Sequence, residues 1–224
     1  MIQKNAIQMT RLLVVGAVWP QPKSSAAGAH ILQVLRPLLR AGWEITYAST
    51  TTDSTHAFDL TSVGISTEAI QVNAPYFDEL LESLDPDVVI FDRFFVEEQF
   101  GWRVEKRCPN ALRVLNCEDL HCLREARERA LSSPDPSKPI LNSRTASREV
   151  AAILRSDLSL LISEYEIKVL ADTFQVDPLL LHYSPFMIDT PGEDDISDMP
   201  DFEERRGFST VGNFRHAPNW DAIR

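Results

Sequence analysis

Short apolar runs alternate with helix-like segments along most of the 224-residue chain. RLLVVGAV (residues 11–18), WEITYA (43–48) and DVVIFD (87–92) have the composition of strands that are buried on both faces. Strand and helix patterns alternate through about seven cycles, which is the pattern of a doubly wound sheet. The chain is therefore predicted to have an α/β, Rossmann-like fold, with a mostly parallel sheet and helices on both faces.

The remaining elements follow the same alternation. Further strands are predicted at 68–73, 112–116, 157–163 and 177–183. Helices are predicted at 29–42, 75–86, 94–108, 118–131, 147–156 and 164–174. Three residues modify these helices: Pro37 bends the first, Gly42 caps its end, and Gly101 interrupts the third.

The composition changes after the last of these strands. Residues 188–207 are acidic, rich in turn formers and poor in apolar residues, which is typical of a linker or a mobile loop. A strand–turn–helix pattern then restarts at Phe208, in FSTVGNFRHAPNWDAIR. We expect a domain over 1–187, a linker over 188–207, and the start of a second domain over 208–224.

Charge and cysteine content narrow the class of protein. The formal net charge of −11 argues against nucleic acid as a partner, because binding to phosphate backbones needs a large basic face. Three cysteines without paired spacing suit a reducing compartment. The sequence has no signal-peptide pattern and no apolar run near the roughly 20 residues that span a bilayer. We expect a cytoplasmic protein, at most membrane-peripheral.

The loop after the first strand, AVWPQPKSSAAGAH, is the first candidate ligand site. It leads to Gly28 at a predicted helix N-terminus, where free N–H groups favour an anion; a plain turn glycine is an equally good interpretation. Gly16 and Gly28 are too far apart for a G-x-G-x-x-G fingerprint, and Lys23 and Ser24 do not complete a P-loop. Neither a nicotinamide enzyme nor a P-loop nucleoside triphosphatase is indicated.

The segment NCEDLHCLRE supplies candidate catalytic groups after the strand at 112–116. Glu118, Asp119 and His121 lie where a carboxylate can orient an imidazole that acts as a base. Structural roles are also open, since Asp119 can cap the next helix and His121 can be an ordinary, partly buried histidine. Cys117, His121 and Cys122 do not have a zinc spacing, so we expect no metal site.

Two other features have weaker functional interpretations. Asp92 and Arg93 follow a strand and are expected to pair with each other, with a role in holding a polar substrate as the alternative. Trp19 is the tryptophan that lies in the ligand-side loop. The chain has no G-x-S-x-G element, so a hydrolase serine is not indicated.

Several stretches together resemble GT-B glycosyltransferases of the group-1, or family-four, type. Gly28 and His30 match the family opening strand–P–small–GG–x–H, although Ala27 replaces one glycine. NCEDLHCLREARERAL is similar to D-x-x-D-L-H-x-x-R-E-x-R-E, and Ser163 and Glu166 match the serine and glutamate of D-x-x-x-x-x-S-x-x-E-x-x-x-L. HYSPFMID lies where the family often has P-N-x-x-D, and VGNFRHAPNWDAIR resembles V-G-x-F-x-H-x-P-N-x-D-A, the first strand, loop and helix of the second domain.

The resemblance implies transfer of a sugar from a nucleotide-sugar donor to a glycan or lipid-linked acceptor, without a cofactor or an essential metal. It places Asp119 or His121 at the reacting sugar and Gly28 near the donor phosphates, with His30 and Glu118 as further binding residues. It also places three residues at the donor-phosphate loop: Gly212, Asn213 and Arg215.

The resemblance further implies that most of the donor-binding domain is missing, so little transfer activity is expected from this chain alone. One alternative is a non-catalytic module that kept the fold and binds a glycan, a lipid headgroup or a partner glycosyltransferase. A weaker alternative is another GT-B enzyme, such as a nucleotide-sugar epimerase.

Overall fold

A computed structural model describes residues 9–51, 56–133, 135, 137, 139–192, 196–197, 199–212, 219–220 and 223. Within these residues, seven parallel strands form one sheet in the order β3-β2-β1-β4-β5-β6-β7. The strands are β1 (Arg11–Gly16), β2 (Glu44–Ser49), β3 (Ser66–Ala69), β4 (Val88–Asp92), β5 (Leu112–Glu118), β6 (Leu158–Leu161) and β7 (Leu181–Tyr183). The predicted Rossmann-like fold is confirmed.

The helices connect successive strands and cover the sheet. They are α1 (Ala26–Arg40), α2 (Tyr76–Leu84), α3 (Phe94–Arg107), α4 (His121–Ala130), α5 (Arg144–Arg155) and α6 (Glu164–Phe174). Short 3₁₀ turns span Thr61–Val63, Pro178–Leu180 and Phe202–Glu204. None of the helices in the described residues is both apolar and long enough to cross a membrane.

The two faces of the sheet are covered differently. Helix α1 packs its residues Ile31, Leu32 and Leu35 against one face, together with Leu60 and Ile65 from the segment before β3. Side chains from the helices α2 to α6 pack against the opposite face, in a second apolar cluster. The prediction of helices on both faces is therefore confirmed.

Some predicted boundaries were wrong. Helix α3 continues through Gly101, where a β-carbon would lie 2.5 Å from Oε1 of Glu97, so the glycine makes room for a buried carboxylate rather than breaking the helix. Strand β3 begins two residues earlier than predicted and ends at Ala69. The first half of the predicted strand at 177–183 is a 3₁₀ turn, because Asp177 accepts the N–H of Leu179 and Pro178 starts the turn.

The sheet has its topological switch point between β1 and β4. Strand β1 leads to β2 on one side, and β4 leads to β5 on the other, while Gly16 is paired with Asp92 at the carboxyl end of both strands. Ligands of doubly wound sheets bind in the crevice outside such a point. Attention therefore falls on the residues that end β1, β4 and β5.

The strand predicted from Phe208 is not formed. Residues 208–212 are described and contain no strand, and the side chains of Phe208 and Val211 are fully exposed. The division into a domain, a linker and the start of a second domain stays a prediction.

Candidate active site at the carboxyl edge of the sheet

Three polar side chains meet where β4 and β5 end. Asp92, Asn116 and Glu118 are all buried. The amide nitrogen Nδ2 of Asn116 lies between the two carboxylates and donates to Oδ1 of Asp92 at 3.0 Å and to Oε1 of Glu118 at 3.2 Å. Two carboxylates thus share one neutral donor beside the switch point.

The guanidinium of Arg93 and the imidazole of His30 complete this buried cluster. Nη1 of Arg93 lies 3.0 Å from Oδ1 of Asp92 and 3.6 Å from Oε1 of Glu118. Nδ1 of His30, from α1, lies 3.0 Å from Oε1 of Glu118. The pKa of Asp92 lies above its ordinary value. Burial is the main cause, the charge of Glu118 adds to it, and the charge of Arg93 opposes it only in part. The expected pairing of Asp92 with Arg93 is confirmed.

The backbone is strained at two residues of the cluster. Arg93 has a φ of 98° and Glu118 a φ of 58°, in a region that residues with side chains rarely adopt. The N–H of Arg93 donates to the carbonyl of Asn116 at 3.0 Å, which holds the end of β4 against β5. Such strain persists only where the surrounding structure imposes it, and it is concentrated at functional sites.

The predicted site residue Gly28 lies in the first turn of α1, close to the chain's own loop. Its N–H donates to Oγ of Ser25, the helix N-cap, at 2.9 Å. A β-carbon at this position would lie 2.4 Å from the backbone nitrogen of Gln21. The structure therefore shows that the glycine allows the loop from β1 to fold onto the helix, and that its N–H already has a partner.

The predicted catalytic residues Asp119 and His121 lie beside the buried cluster and are more exposed. Asp119 pairs with Arg124, and the side chains of both are 37% exposed. The ring of His121 meets the edge of Phe94 and stacks on Phe95, with centroids 5.4 and 6.5 Å apart. The sequence did not indicate these aromatic neighbours.

The environment of His121 favours its neutral form. Burial lowers the pKa of His121 below its ordinary value, and the charges of Arg124 and Arg93 lower it further, whereas Asp119 and Glu125 act in the opposite direction. A neutral imidazole can accept a proton at neutral pH. The arrangement is therefore compatible with a general base at this position.

The structure separates the predicted site residues into groups. His30 and Glu118 belong to the buried cluster, Asp119 and His121 flank it at the start of α4, and Gly28 lies in the first turn of α1. Gly212 lies in the exposed C-terminal stretch, where a β-carbon would approach Nδ2 of Asn219 at 3.0 Å. Asn213 and Arg215 lie outside the described residues.

Two buried carboxylates hold the start of α4: Glu149, which sequence reasoning missed, and Glu166, which the family resemblance named without this role. Glu149, on α5, accepts the N–H groups of His121 and Cys122, and Glu166, on α6, accepts the N–H of Leu120 at 3.0 Å. Burial raises the pKa of both carboxyl groups. The available signal was an acidic residue among the apolar positions of each helix, as in REVAAIL and EYEIKVL.

An open cleft of about 590 Å³ lies at the carboxyl ends of β2 and β3. The residues that line it include the aromatic Trp19 and Phe58 and the threonines Thr51, Thr61 and Thr67. Nε1 of Trp19 donates to the carbonyl of Thr51 at 2.9 Å, which fixes the indole at the rim. Within the described residues, no group of His, Cys, Asp and Glu side chains is arranged to hold a metal ion.

Comparisons with known proteins identify the fold. No protein-family profile and no curated protein matches the sequence. Among solved structures, the chain is similar to a sucrose-phosphate synthase from Thermosynechococcus elongatus, with a TM-score of 0.56 and 12% identity over 78% of this chain and 48% of that chain. The similarity shows a GT-B glycosyltransferase fold, as the sequence resemblance predicted.

Two further solved structures are similar. One is the lipopolysaccharide outer core galactosyltransferase WaaB in its apo form, with a TM-score of 0.49 and 12% identity over 81% of this chain and 47% of that chain. The other is an alpha-glucosyltransferase in complex with UDP-glucose and DNA containing an abasic site, with a TM-score of 0.48 and 12% identity over 79% and 42%. The chain spans about half the length of the structures that it matches.

Proposed function

We propose that this chain forms the acceptor side of a glycosyltransferase that transfers a sugar from a nucleotide-sugar donor to a glycan or lipid-linked acceptor. The observation that carries the proposal is the GT-B fold, together with the strained and charged cluster at its switch point. The nucleotide-sugar is a substrate in this proposal, and no cofactor or metal takes part. The protein acts in the cytoplasm.

The proposal assigns the chemistry to the exposed side of the carboxyl edge. His121 is partly exposed, favours its neutral form and lies beside Asp119, so these two residues face the reacting sugar. Arg93, at the switch point, brings a cation close to them. His30 and Glu118 act from within the domain, because both side chains are buried.

The cleft beside Trp19 is assigned to the acceptor. A flat aromatic side chain and several hydroxyl groups suit a neutral sugar, which offers both an apolar face and hydroxyl groups to bind. Among the described residues that line the cleft there is no lysine or arginine, and Asp59 is acidic, so this part of the wall does not favour a phosphorylated group. The acceptor end is therefore a neutral sugar unit.

Gly28 and three C-terminal residues are assigned to the donor phosphates. Gly28 belongs to the first turn of α1, whose N-terminus lies at the carboxyl edge and faces the donor phosphates in this proposal. Gly212, Asn213 and Arg215 belong to a donor-phosphate loop that the second domain contributes.

Saccharide binding tests the assignment of the cleft. We expect methyl glucoside, added at millimolar concentration, to receive saturation transfer from the protein in NMR, and a Trp19→Ala variant to lose the signal. Trp102→Ala is the matched control, because Trp102 is an exposed tryptophan on α3 and does not line the cleft. Equal binding by wild type and Trp19→Ala would place the acceptor elsewhere.

A second measurement separates the enzyme from a non-catalytic module, the alternative function. If a donor domain begins near Phe208, residues 208–212 belong to it and do not pack against the sheet described above. The full exposure of Phe208 and Val211 agrees with this. We expect their amide hydrogens to exchange at the rate of an unfolded chain. Strong protection would favour the binding module, in which this stretch packs onto the domain.

A further inference from the structure

The ring of His30 lies between two hydrogen-bond acceptors inside the protein. Nδ1 faces Oε1 of Glu118 at 3.0 Å, and Nε2 faces the carbonyl oxygen of Ser184 at 3.0 Å. The side chain of His30 has no exposed surface. Neither ring nitrogen is therefore turned toward solvent or toward a ligand.

These two contacts require a proton on each nitrogen of the His30 ring. A neutral imidazole has one N–H donor, and its other nitrogen is an acceptor. The Ser184 carbonyl can only accept, so Nε2 must donate to it. Glu118 already receives Nδ2 of Asn116 on the oxygen that faces Nδ1, and Arg93 lies 3.6 Å from that oxygen, so Glu118 is a carboxylate and Nδ1 must donate as well.

The charges of the cluster lead to the same conclusion. Asp92 and Glu118 are two buried carboxylates, and Arg93 supplies one positive charge against them. Two further ionisable groups lie near the cluster and add no charge to it. The environment of His121, near Arg93, favours its neutral form, and the hydroxyl of Tyr47 on β2 is protonated and donates to the carbonyl of Val18 at 2.9 Å. A second cation balances the cluster, and uncompensated buried charge is costly.

The residues after β7 are attached to α1 around this histidine. The N–H of Ser184 donates to the carbonyl of Leu161 at 2.7 Å, which places Ser184 at the carboxyl edge. The ring of Phe186 lies 5.0 Å from that of His30, and the N–H of Met187 donates to Oε1 of Gln33 at 2.9 Å. Residues 184–187 are thus bound to two successive turns of α1.

We propose that His30 is a positioning residue: as a doubly protonated imidazolium it holds both Glu118 and the segment 184–187, and losing its second proton releases that segment from α1. Burial taken alone lowers the pKa of His30. The hydrogen bond and charge of Glu118, the Ser184 carbonyl and Asp92 together outweigh burial, so the pKa of His30 lies above its ordinary value. The stabilisation is complete below pH 6.5 and is lost as the pH rises through the higher folded pKa. The inference does not depend on the proposed sugar chemistry.

NMR of the whole chain tests the proposal. With ¹⁵N-labelled histidine, we expect both ring nitrogens of His30 to be protonated at pH 7, and one proton to be lost only at higher pH. The protection factor of the Met187 amide, which is corrected for the intrinsic pH dependence of exchange, should fall about ten- to hundredfold over the same pH range. A neutral His30 ring at pH 7, or Met187 protection that does not follow its titration, would overturn the proposal.

Glu118→Gln supplies a second test that does not alter the histidine. Glutamine removes the negative charge beside Nδ1, so we expect the pKa of His30 to fall. His182→Gln is the matched control, because His182 is an exposed histidine on β7, two residues before Ser184. An unchanged His30 pKa in Glu118→Gln would contradict the proposed charge pairing, whatever the outcome of saccharide binding.

Discussion

The carboxylate of Glu149 accepts the N–H of Cys122 at 2.7 Å, and this bond joins α5 to the first turn of α4. The other oxygen of Glu149 accepts the N–H of His121 at 2.8 Å. A buried glutamate from a later helix therefore satisfies two N–H groups that the helix itself leaves without partners. The position of the candidate base His121 thus depends on a side chain 28 residues away in sequence.

Replacing Glu149 should weaken this junction. Glu149→Ala removes two charge-assisted hydrogen bonds, and we expect it to lower the free energy of unfolding by about 2–4 kcal/mol. Glu149→Gln keeps one acceptor oxygen and should cost about 1 kcal/mol. Urea denaturation, followed by circular dichroism at pH 7, measures both changes.

Glu128→Ala is the control for these variants, because Glu128 is an exposed residue of α4. Its effect should stay within about 0.5 kcal/mol. If Glu149→Ala is as stable as Glu128→Ala, the carboxylate does not hold the start of α4.

Gly28 offers a second prediction about the carboxyl edge. In Gly28→Ala the new β-carbon would lie within 2.4–2.8 Å of the backbone of Gln21, and backbone atoms cannot rotate away as side chains do. We expect a loss of about 2–3 kcal/mol in the free energy of unfolding, since the loop must move off α1. Urea denaturation gives the loss, and amide chemical shifts of residues 21–25 report the movement.

Gly42→Ala separates crowding from backbone strain. Gly42 has a φ of 82° and nothing within 4 Å of a β-carbon, so alanine there is strained without being crowded. Its cost should be about 1 kcal/mol. A smaller loss in Gly28→Ala than in Gly42→Ala would show that the loop does not depend on the glycine for its close approach.

The sheet was predictable because each strand is a local pattern. Strands buried on both faces must be apolar along their whole length, so an apolar run such as the one that forms β4 can be recognised in the sequence. Strand β3 was displaced in the prediction because its residues are mostly exposed and carry no such pattern. Gly101 was misread because the sequence does not show that Glu97 occupies the space beside it.

The site was predictable only in part, because its contacts join distant residues. Asp92 with Arg93 and Glu118 with Asp119 were identified from their place after strands, where parallel sheets bind ligands. The contact of His30 with Glu118 spans 88 residues, and no local pattern encodes it. The family resemblance drew attention to His30, but burial and both hydrogen bonds of its ring are visible only in the structure.

The junction between α2 and α3 should be pH-dependent. Asp78 accepts Nη1 of Arg103 at 2.7 Å and Nη2 of Arg107 at 3.0 Å. Partial burial raises the pKa of Asp78, but the two guanidinium groups together lower it more, so the pKa lies below its ordinary value. We expect Asp78→Asn to cost about 1–2 kcal/mol at pH 7, as measured by urea denaturation.

Lowering the pH should remove this difference. A carboxyl group with a depressed folded pKa stabilises the fold above its unfolded pKa, near 3.8, and loses that contribution as the pH falls through the folded pKa. The stabilities of wild type and Asp78→Asn should therefore converge as the pH is lowered from 7 toward 3. Asp172→Asn, which affects an exposed pair with Lys168, should leave the stability nearly unchanged at every pH in this range. A constant gap between wild type and Asp78→Asn would contradict the ion-pair explanation.

His121 should titrate below the ordinary histidine value of 6.5. Burial and the charges of Arg124 and Arg93 lower its pKa, while Asp119 raises it. Arg124→Gln removes a repelling cation and also frees the carboxylate of Asp119 from its partner, so both effects should raise the pKa of His121. Asp119→Asn should lower it, and ring chemical shifts followed from pH 4 to 9 measure each change.

Arg129→Gln is the control for this titration, since Arg129 is an exposed residue of α4 that bonds to the carbonyl of Ile140. The pKa of His121 should stay unchanged in that variant. Because the folded pKa is depressed, the stability contribution of His121 is complete above pH 6.5 and is lost as the pH falls through the folded value. A base must be neutral to accept a proton, so a His121 pKa above 6.5 in the wild type would remove the support that its environment gives to the proposed role.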